Sequence, residues 1–166
     1  MALLTWDKRL AVGTPSIDAQ HRLLVEALNE LNSSVMRGDD RNSTGVLLRT
    51  FLAYTRNHHA SEETLMARVH YPELQQHRTL HRELLENVET HVARLERGES
   101  AVSIEFLHFL RDWLSNHIQQ ADRAFLPWIV RHATSSMRPS IVLGQTSNES
   151  WVDAKSGAGF GSEAKS

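Results

Sequence analysis

The chain has 166 residues, with 18 Lys and Arg against 20 Asp and Glu, so its formal charge of -2 leaves no broad positive field to attract nucleic acid or an anionic membrane. Cysteine is absent, which excludes disulfides, thiolate metal ligands and cysteine nucleophiles. No apolar run reaches the roughly 18 residues of a membrane span, and we expect a soluble, cytoplasmic protein. Histidine is frequent, with ten copies, so any metal must be held by His, Asp and Glu.

The chain opens with residues 1–13, which contain several large apolar side chains and are predicted to pack as an extended arm. The first amphipathic helix follows. Thr14 is a plausible N-cap with Pro15 at the first helical position, and the apolar period continues to Arg37, just before Gly38.

The second and third helices are separated by a proline. The second is predicted to begin within residues 40–43 and to continue to about His70, because Pro72 disfavours a helix at the residue before it. The third is predicted from Pro72 to Arg97, with Gly98 just past its end.

The fourth helix is predicted to begin after a serine cap, either Ser100 or Ser103. Pro127 is expected to kink it or to end it near Leu126.

Four amphipathic helices joined by short connections predict an all-α fold, an antiparallel up-down-up-down four-helix bundle. We assign residues 1–132 to this bundle with its N-terminal arm. Residues 133–166 are rich in Ser, Gly and small polar residues and are predicted to form a flexible tail, in which Trp151 has no explanation.

Polar side chains interrupt the apolar stripes at positions that a simple bundle would fill with leucine. These residues are His21, His58, Glu62, His77, His81 and His117. His58 and Glu62 are four residues apart, so they project from one helix face, and the same holds for His77 and His81. A buried carboxylate without a partner costs several kcal/mol, and no matching Lys or Arg lies on the stripes. A bound cation is therefore predicted.

Asp122 is less obviously part of this set. It lies five residues after His117, about 140° around an α-helix, so we expect it to reach in from the flank of the stripe beside Ile118. Five imidazoles and two carboxylates exceed what one octahedral ion can bind together with an outside ligand. Two metal ions that share the carboxylates fit better, and imidazole with carboxylate suits iron, with manganese, copper or zinc as alternatives.

Trp6 to Phe125 resembles the hemerythrin family, specifically its bacterial members. The motifs that carry the resemblance are Ile17-Asp18-Ala19-Gln20-His21, His58 with Glu62-Glu63 and Met66, Tyr71-Pro72, His77 with His81, Trp113-Leu114 with His117-Ile118, and Asp122.

The resemblance implies two iron ions joined by an oxo or hydroxo bridge. One iron would take His77, His81 and His117, and the other would take His21 and His58. Glu62 and Asp122 would bridge the two. The iron with two histidines would keep a vacant position, where dioxygen would bind reversibly for storage or for delivery to an oxygen-using enzyme that the sequence does not identify. On this interpretation the protein is a carrier rather than an enzyme.

Four side chains close to the expected ligands, Leu24, Trp113, Leu114 and Ile118, are predicted to form a largely apolar oxygen pocket. His59 departs from the family, which usually has phenylalanine directly after the second-helix histidine. We hypothesise that His59 either stabilises bound oxygen through a hydrogen bond or hastens its loss with oxidation of the iron. The alternative is that His59 lies at the helix surface.

Two other functions remain open at this point. A sensor of oxygen, redox state or nitric oxide would use the same site to signal to a partner. A di-iron oxidase or peroxidase of the ferritin-like group would use Glu-x-x-His twice, whereas Glu105 to His108 is the single such spacing in the chain.

Several charged or polar residues near the motifs are expected to play no part as ligands. We expect Glu63 to be a solvated helix residue and Asp18 to be an early-helix charge. The other histidines are expected at the surface or rim of the bundle: His70, His91, His108 and His132.

Overall fold

The computed structural model describes residues 1–136 of the chain. Its helices are α1 (Pro15–Arg37), α2 (Arg41–Arg68), α3 (Leu74–Glu96), α4 (Ile104–His117), a π turn (Ile118–Asp122) and α5 (Arg123–Ser136). Over this range there is no β-strand. The π turn joins α4 to α5 without a break, so the two helices together form the fourth helix of the bundle. The predicted all-α antiparallel four-helix bundle is confirmed.

The ends of α1 are those that the sequence predicts. Thr14 is the N-cap with extended backbone, and Pro15 occupies the first helical position, where its missing N–H interrupts no hydrogen bond. Gly38 ends the helix with φ of 75°, a left-handed conformation that a side chain would make costly. The N–H of Gly38 satisfies helix-end carbonyls.

The connection between α2 and α3 is longer than predicted. Asp40 caps α2 by accepting a 3.0 Å hydrogen bond from the Ser43 N–H, but the helix ends at Arg68, two residues before the predicted end. His70 then adopts a left-handed conformation with φ of 53°, which reverses the chain ahead of Pro72.

An end of the fourth helix near Leu126, one of the two alternatives predicted at Pro127, is wrong. Ser103 caps α4, as one of the two predicted alternatives, but α5 continues through Pro127 to Ser136. Pro127 lies inside α5 and removes one backbone N–H from the helix, so packing must offset that loss. Burial of Phe125 and contacts of Trp128 and Ile129 with a small apolar cluster stabilise the continuation.

Helix α5 includes residues 133–136, the first four residues of the segment predicted as a flexible tail. Residues 137–166, including Trp151, lie outside the described residues.

The N-terminal arm packs on the bundle as predicted, although it contains one turn of 3-10 helix at Lys8–Leu10. Side chains of the bundle hold its backbone. Asn29 accepts from the N–H groups of Leu3 and Leu4, and Asp18 accepts from Val12 and Gly13. The Arg123 guanidinium donates to the carbonyls of Lys8, Arg9 and Ala11.

The main core runs the length of the bundle between the four helices, and its apolar residues surround a polar centre. None of the helices described is both long enough and apolar enough to cross a membrane.

Candidate metal centre

The structure brings together all seven residues that the sequence predicts as metal ligands, and each is at most 7% exposed. Each helix of the bundle supplies at least one of them. They form two groups able to hold a metal ion: Glu62, His77, His81, His117 and Asp122 in one, and His21, His58, Glu62 and Asp122 in the other. Glu62 and Asp122 belong to both groups.

The π turn explains how His117 and Asp122 meet, and it corrects the expectation that Asp122 reaches in from the flank. Each hydrogen bond in a π turn spans five residues, so residues five apart lie one turn apart on the same face. Nε2 of His117 and Oδ1 of Asp122 are 3.0 Å apart, and Asp122 is 1% exposed. Ile118, which was predicted to flank Asp122, is fully buried.

The donor atoms converge at distances that suit a shared metal ion. Nε2 of His77 lies 3.3 Å from Glu62 Oε2 and 3.4 Å from Asp122 Oδ1. Nε2 of His21 lies 3.2 Å from Asp122 Oδ2. Imidazole nitrogens bind divalent zinc at about 2.1 Å, and neighbouring ligands of an octahedral ion at that bond length are about 3 Å apart.

Hydrogen bonds within the described residues, such as the one between His77 Nε2 and Glu62 Oε2, satisfy only part of the buried polar atoms at this centre. Both ring nitrogens of His21 and both carboxylate oxygens of Asp122 are buried and have no hydrogen-bond partner. Unpaired buried groups of this kind cost about 1–3 kcal/mol each. A bound cation would therefore satisfy these buried atoms better than the contacts among the residues themselves do.

Glu63 and Gln20 orient two histidine rings so that each ring presents a lone pair to the centre. Nδ1 of His81 donates to Glu63 Oε1 at 3.0 Å, and Nδ1 of His58 donates to Gln20 Oε1 at 3.2 Å. A neutral imidazole that carries its proton on Nδ1 presents a lone pair on Nε2. The Nε2 atoms of His81 and His58 both face Glu62, at 3.4 and 3.5 Å.

Burial keeps these two imidazoles in the form that binds metal. It lowers the pKa of His58 to about 3, with nearby His21 contributing in the same direction. It lowers the pKa of His81 to about 4, despite the neighbouring Glu62 carboxylate, which acts the other way. Both rings are therefore neutral near pH 7, as metal ligation requires.

Asp122 is ionised in the same surroundings. Burial alone would raise the pKa of its carboxyl group, but the nearby His117 and His21 rings outweigh burial and hold the pKa well below its usual range. A buried carboxylate between two groups of imidazoles is suited to bridge two cations.

The expectation that Glu63 is a solvated residue is wrong. Besides the hydrogen bond from His81, Glu63 accepts one from Nε of Arg78 at 3.1 Å, and its side chain is 24% exposed. Gln20 has a comparable place beside His58 and had no assigned role in the sequence analysis. Glu63 directly follows the expected ligand Glu62, and Gln20 directly precedes the expected ligand His21. Their positions next to ligands were the sequence signal that could have indicated these contacts.

The four apolar residues that the sequence predicts as an oxygen pocket lie in or against the main core. Leu24, Leu114 and Ile118 are buried in the main core, and Trp113 is half-buried against it. The Trp113 ring stacks on that of His117 with centroids 4.3 Å apart.

His59 is buried, so its alternative placement at the helix surface is wrong. Its ring stacks flat on His81 with centroids 3.5 Å apart, and its centroid is 5.7 Å from that of His58. Nδ1 of His59 is buried without a partner among the described residues. Burial lowers the pKa of this ring well below its usual value, so His59 is neutral.

The remaining polar residues lie away from the centre. Asp18 holds the arm, and among the described residues it makes no hydrogen bond with a ligand histidine. Glu105 and His108, the single Glu-x-x-His pair, are both exposed, which disfavours a ferritin-like site. His91 stacks on Phe106, and His70 and His132 are exposed as expected.

Comparison with known proteins agrees with this arrangement. The family model described as the hemerythrin HHE cation binding domain matches residues 12–129. Bacteriohemerythrin of Stenotrophomonas maltophilia is 33% identical over 83% of this chain and 89% of its own length. Bacteriohemerythrin of Methylococcus capsulatus is 30% identical over 76% of this chain and 97% of its own length.

Solved structures give the same result. A crystal structure of wild-type hemerythrin superposes with a TM-score of 0.74 at 29% identity, covering 77% of this chain and 98% of that one. Since the family model covers well over half of the chain, this protein belongs to the hemerythrin family.

Proposed function

We propose that the protein binds dioxygen reversibly at a non-haem di-iron centre and serves as an oxygen store or carrier. The observation that supports this most strongly is the pair of donor groups that share Glu62 and Asp122. Two carboxylates common to two sets of imidazoles fit two neighbouring ions better than one. Family membership favours iron, and the nitrogen and oxygen donors suit it.

The two groups are unequal in a way that suits binding at one end. Three histidines and the two shared carboxylates would hold one ion through five protein ligands. Two histidines and the same carboxylates would hold the other ion through four, which would leave more room for an outside ligand. In this proposal His21 and His58 hold the ion with the open position.

The metal supplies the electron chemistry, since a pair of ferrous ions can lend two electrons to dioxygen and recover them on release. The protein has the complementary tasks of holding both ions and keeping water away. Leu24, Leu114 and Ile118 are buried beside the ligands and would form apolar walls that disfavour charge separation. A centre enclosed in this way favours reversible binding over oxidation of the iron.

Titration of the anaerobic metal-free chain with ferrous iron tests the shared carboxylates. We expect two irons per wild-type chain, and fewer in Asp122→Ala, because that change removes a ligand from both ions. Asp112→Ala is the matched control, since Asp112 is exposed and pairs with Arg111. Loss of iron from the control variant, or two tightly bound irons in Asp122→Ala, would contradict the proposal.

A further inference from the structure

The two halves of the centre are supported by side chains of different charge. On the three-histidine side, the His81 ring donates its Nδ1 hydrogen to the carboxylate of Glu63 at 3.0 Å. On the two-histidine side, the His58 ring donates to the neutral amide oxygen of Gln20 at 3.2 Å. The two contacts are otherwise alike, because each fixes the tautomer of one imidazole and leaves Nε2 facing Glu62.

A carboxylate and an amide act differently on the ring that donates to them. A charged acceptor draws the Nδ1 hydrogen more strongly and pushes electron density toward Nε2, which makes the imidazole a stronger donor to a cation. A stronger donor stabilises the more highly charged ion. The hydrogen bond from Arg78 offsets part of the charge on Glu63, but Arg78 lies on the outer side of that carboxylate, where its side chain is 42% exposed.

We propose that Glu63 is a positioning residue that orients His81 and lowers the reduction potential of the three-histidine half, while Gln20 leaves the two-histidine half without that charge. This inference rests on the proposed di-iron function. It assigns a difference in reduction potential between the two halves to a pair of residues outside the ligand set. In the proposed function, the three-histidine half has the larger number of protein ligands. The same half then has the surroundings that favour the ferric ion.

Four variants of the full chain test the assignment, each loaded with iron and measured by iron affinity and by midpoint potential. Glu63→Gln keeps the shape of the side chain and removes its charge. We expect a higher potential and affinity for one of the two irons reduced by about tenfold, as is typical when a partner of a metal-binding histidine is lost. Gln20→Glu adds the charge on the other side, and we expect a lower potential.

Arg78→Met separates this role from a structural one. It leaves the bond from His81 to Glu63 in place and unmasks the carboxylate, so we expect a shift opposite in sign to that of Glu63→Gln. If Glu63 served only to pair with Arg78, the two variants would behave alike. Glu83→Gln removes one exposed charge on the same helix as His81, and we expect no shift.

The outcomes distinguish a failure of this inference from a failure of the proposed di-iron function. Two bound irons in every variant, with equal potentials and affinities in wild type and Glu63→Gln, would overturn the role of Glu63 and leave the di-iron function standing. Shifts of the same sign in Arg78→Met and Glu63→Gln would also overturn it. A wild-type chain that takes up no iron would overturn both.

Discussion

At the scale of single residues, the centre is a set of polar groups that the chain buries without pairing them fully. Both ring nitrogens of His21 and both carboxylate oxygens of Asp122 have no hydrogen-bond partner within the described residues. Groups of this kind persist in folded proteins where a ligand completes them. Burial keeps His58 and His81 neutral by lowering the pKa of each ring, so their lone pairs are available for a cation.

His59 allows a direct test of what surrounds the centre. It places a buried polar ring, with an Nδ1 that has no partner among the described residues, against the ligand candidate His81. We predict that His59→Phe slows autoxidation of the oxygen-loaded protein, because an apolar wall disfavours charge separation and water. The rate would be followed as the growth of the diferric absorption spectrum in air.

The control for this comparison is His91→Phe, the same change at a histidine that stacks on Phe106 outside the centre. We expect the control variant to oxidise at the wild-type rate. If the rate of His59→Phe equalled or exceeded that of wild type, the polar ring would not be what hastens oxidation.

Asp122 was predicted only at the flank of its stripe, but the other six ligand candidates could be predicted from the sequence because polar residues on an apolar stripe are conspicuous. The roles of Glu63 and Gln20 could not. Glu63 lies one residue from the buried stripe of α2, and periodicity alone places such a position toward solvent. Its hydrogen bond to His81 depends on the distance between α2 and α3, which the sequence of either helix does not contain.

At the scale of elements, the π turn is what aligns His117 with Asp122. Hydrophobic periodicity predicts helices with an α-helical repeat, so a spacing of five looked unfavourable. Gly38 was predicted correctly as the end of α1, and Ser103 was one of the two caps predicted for α4. Continuation through Pro127 depends on packing around Phe125, which local chemistry does not reveal.

The π turn predicts opposite effects of removing and adding a residue. Gln120 is exposed within the turn. Deleting it would place Asp122 four residues after His117, a spacing that an ordinary α-helix brings onto one face, so we expect two irons per chain. Inserting one alanine after Gln120 would create a spacing of six and turn Asp122 away, so we expect fewer.

Iron per chain, measured after anaerobic loading, checks both variants, and circular dichroism verifies that each remains helical. Gln120→Ala serves as the control, because it changes the side chain and keeps the spacing. A deletion variant that loses its iron while remaining folded would show that the π turn itself is required, contrary to this prediction.

At the scale of the whole molecule, the bundle builds one polar centre from all four helices inside an apolar core. Residues far apart in sequence, such as His21 and Asp122, come within 3.2 Å. The arm is tied to the bundle close to both of these residues, since Asp18 holds it from α1 and Arg123 holds it directly after the π turn. The four helices of the described residues therefore enclose the centre, and the arm packs against them.

The central claim is reversible oxygen binding, and one measurement tests it most directly. The protein would be reduced anaerobically with two irons per chain, and its visible spectrum recorded before air, in air and after return to vacuum. We predict an absorption band that appears in air and disappears under vacuum over repeated cycles. A single irreversible conversion to the diferric form would contradict oxygen carriage and favour a sensor or an oxidase at the same centre.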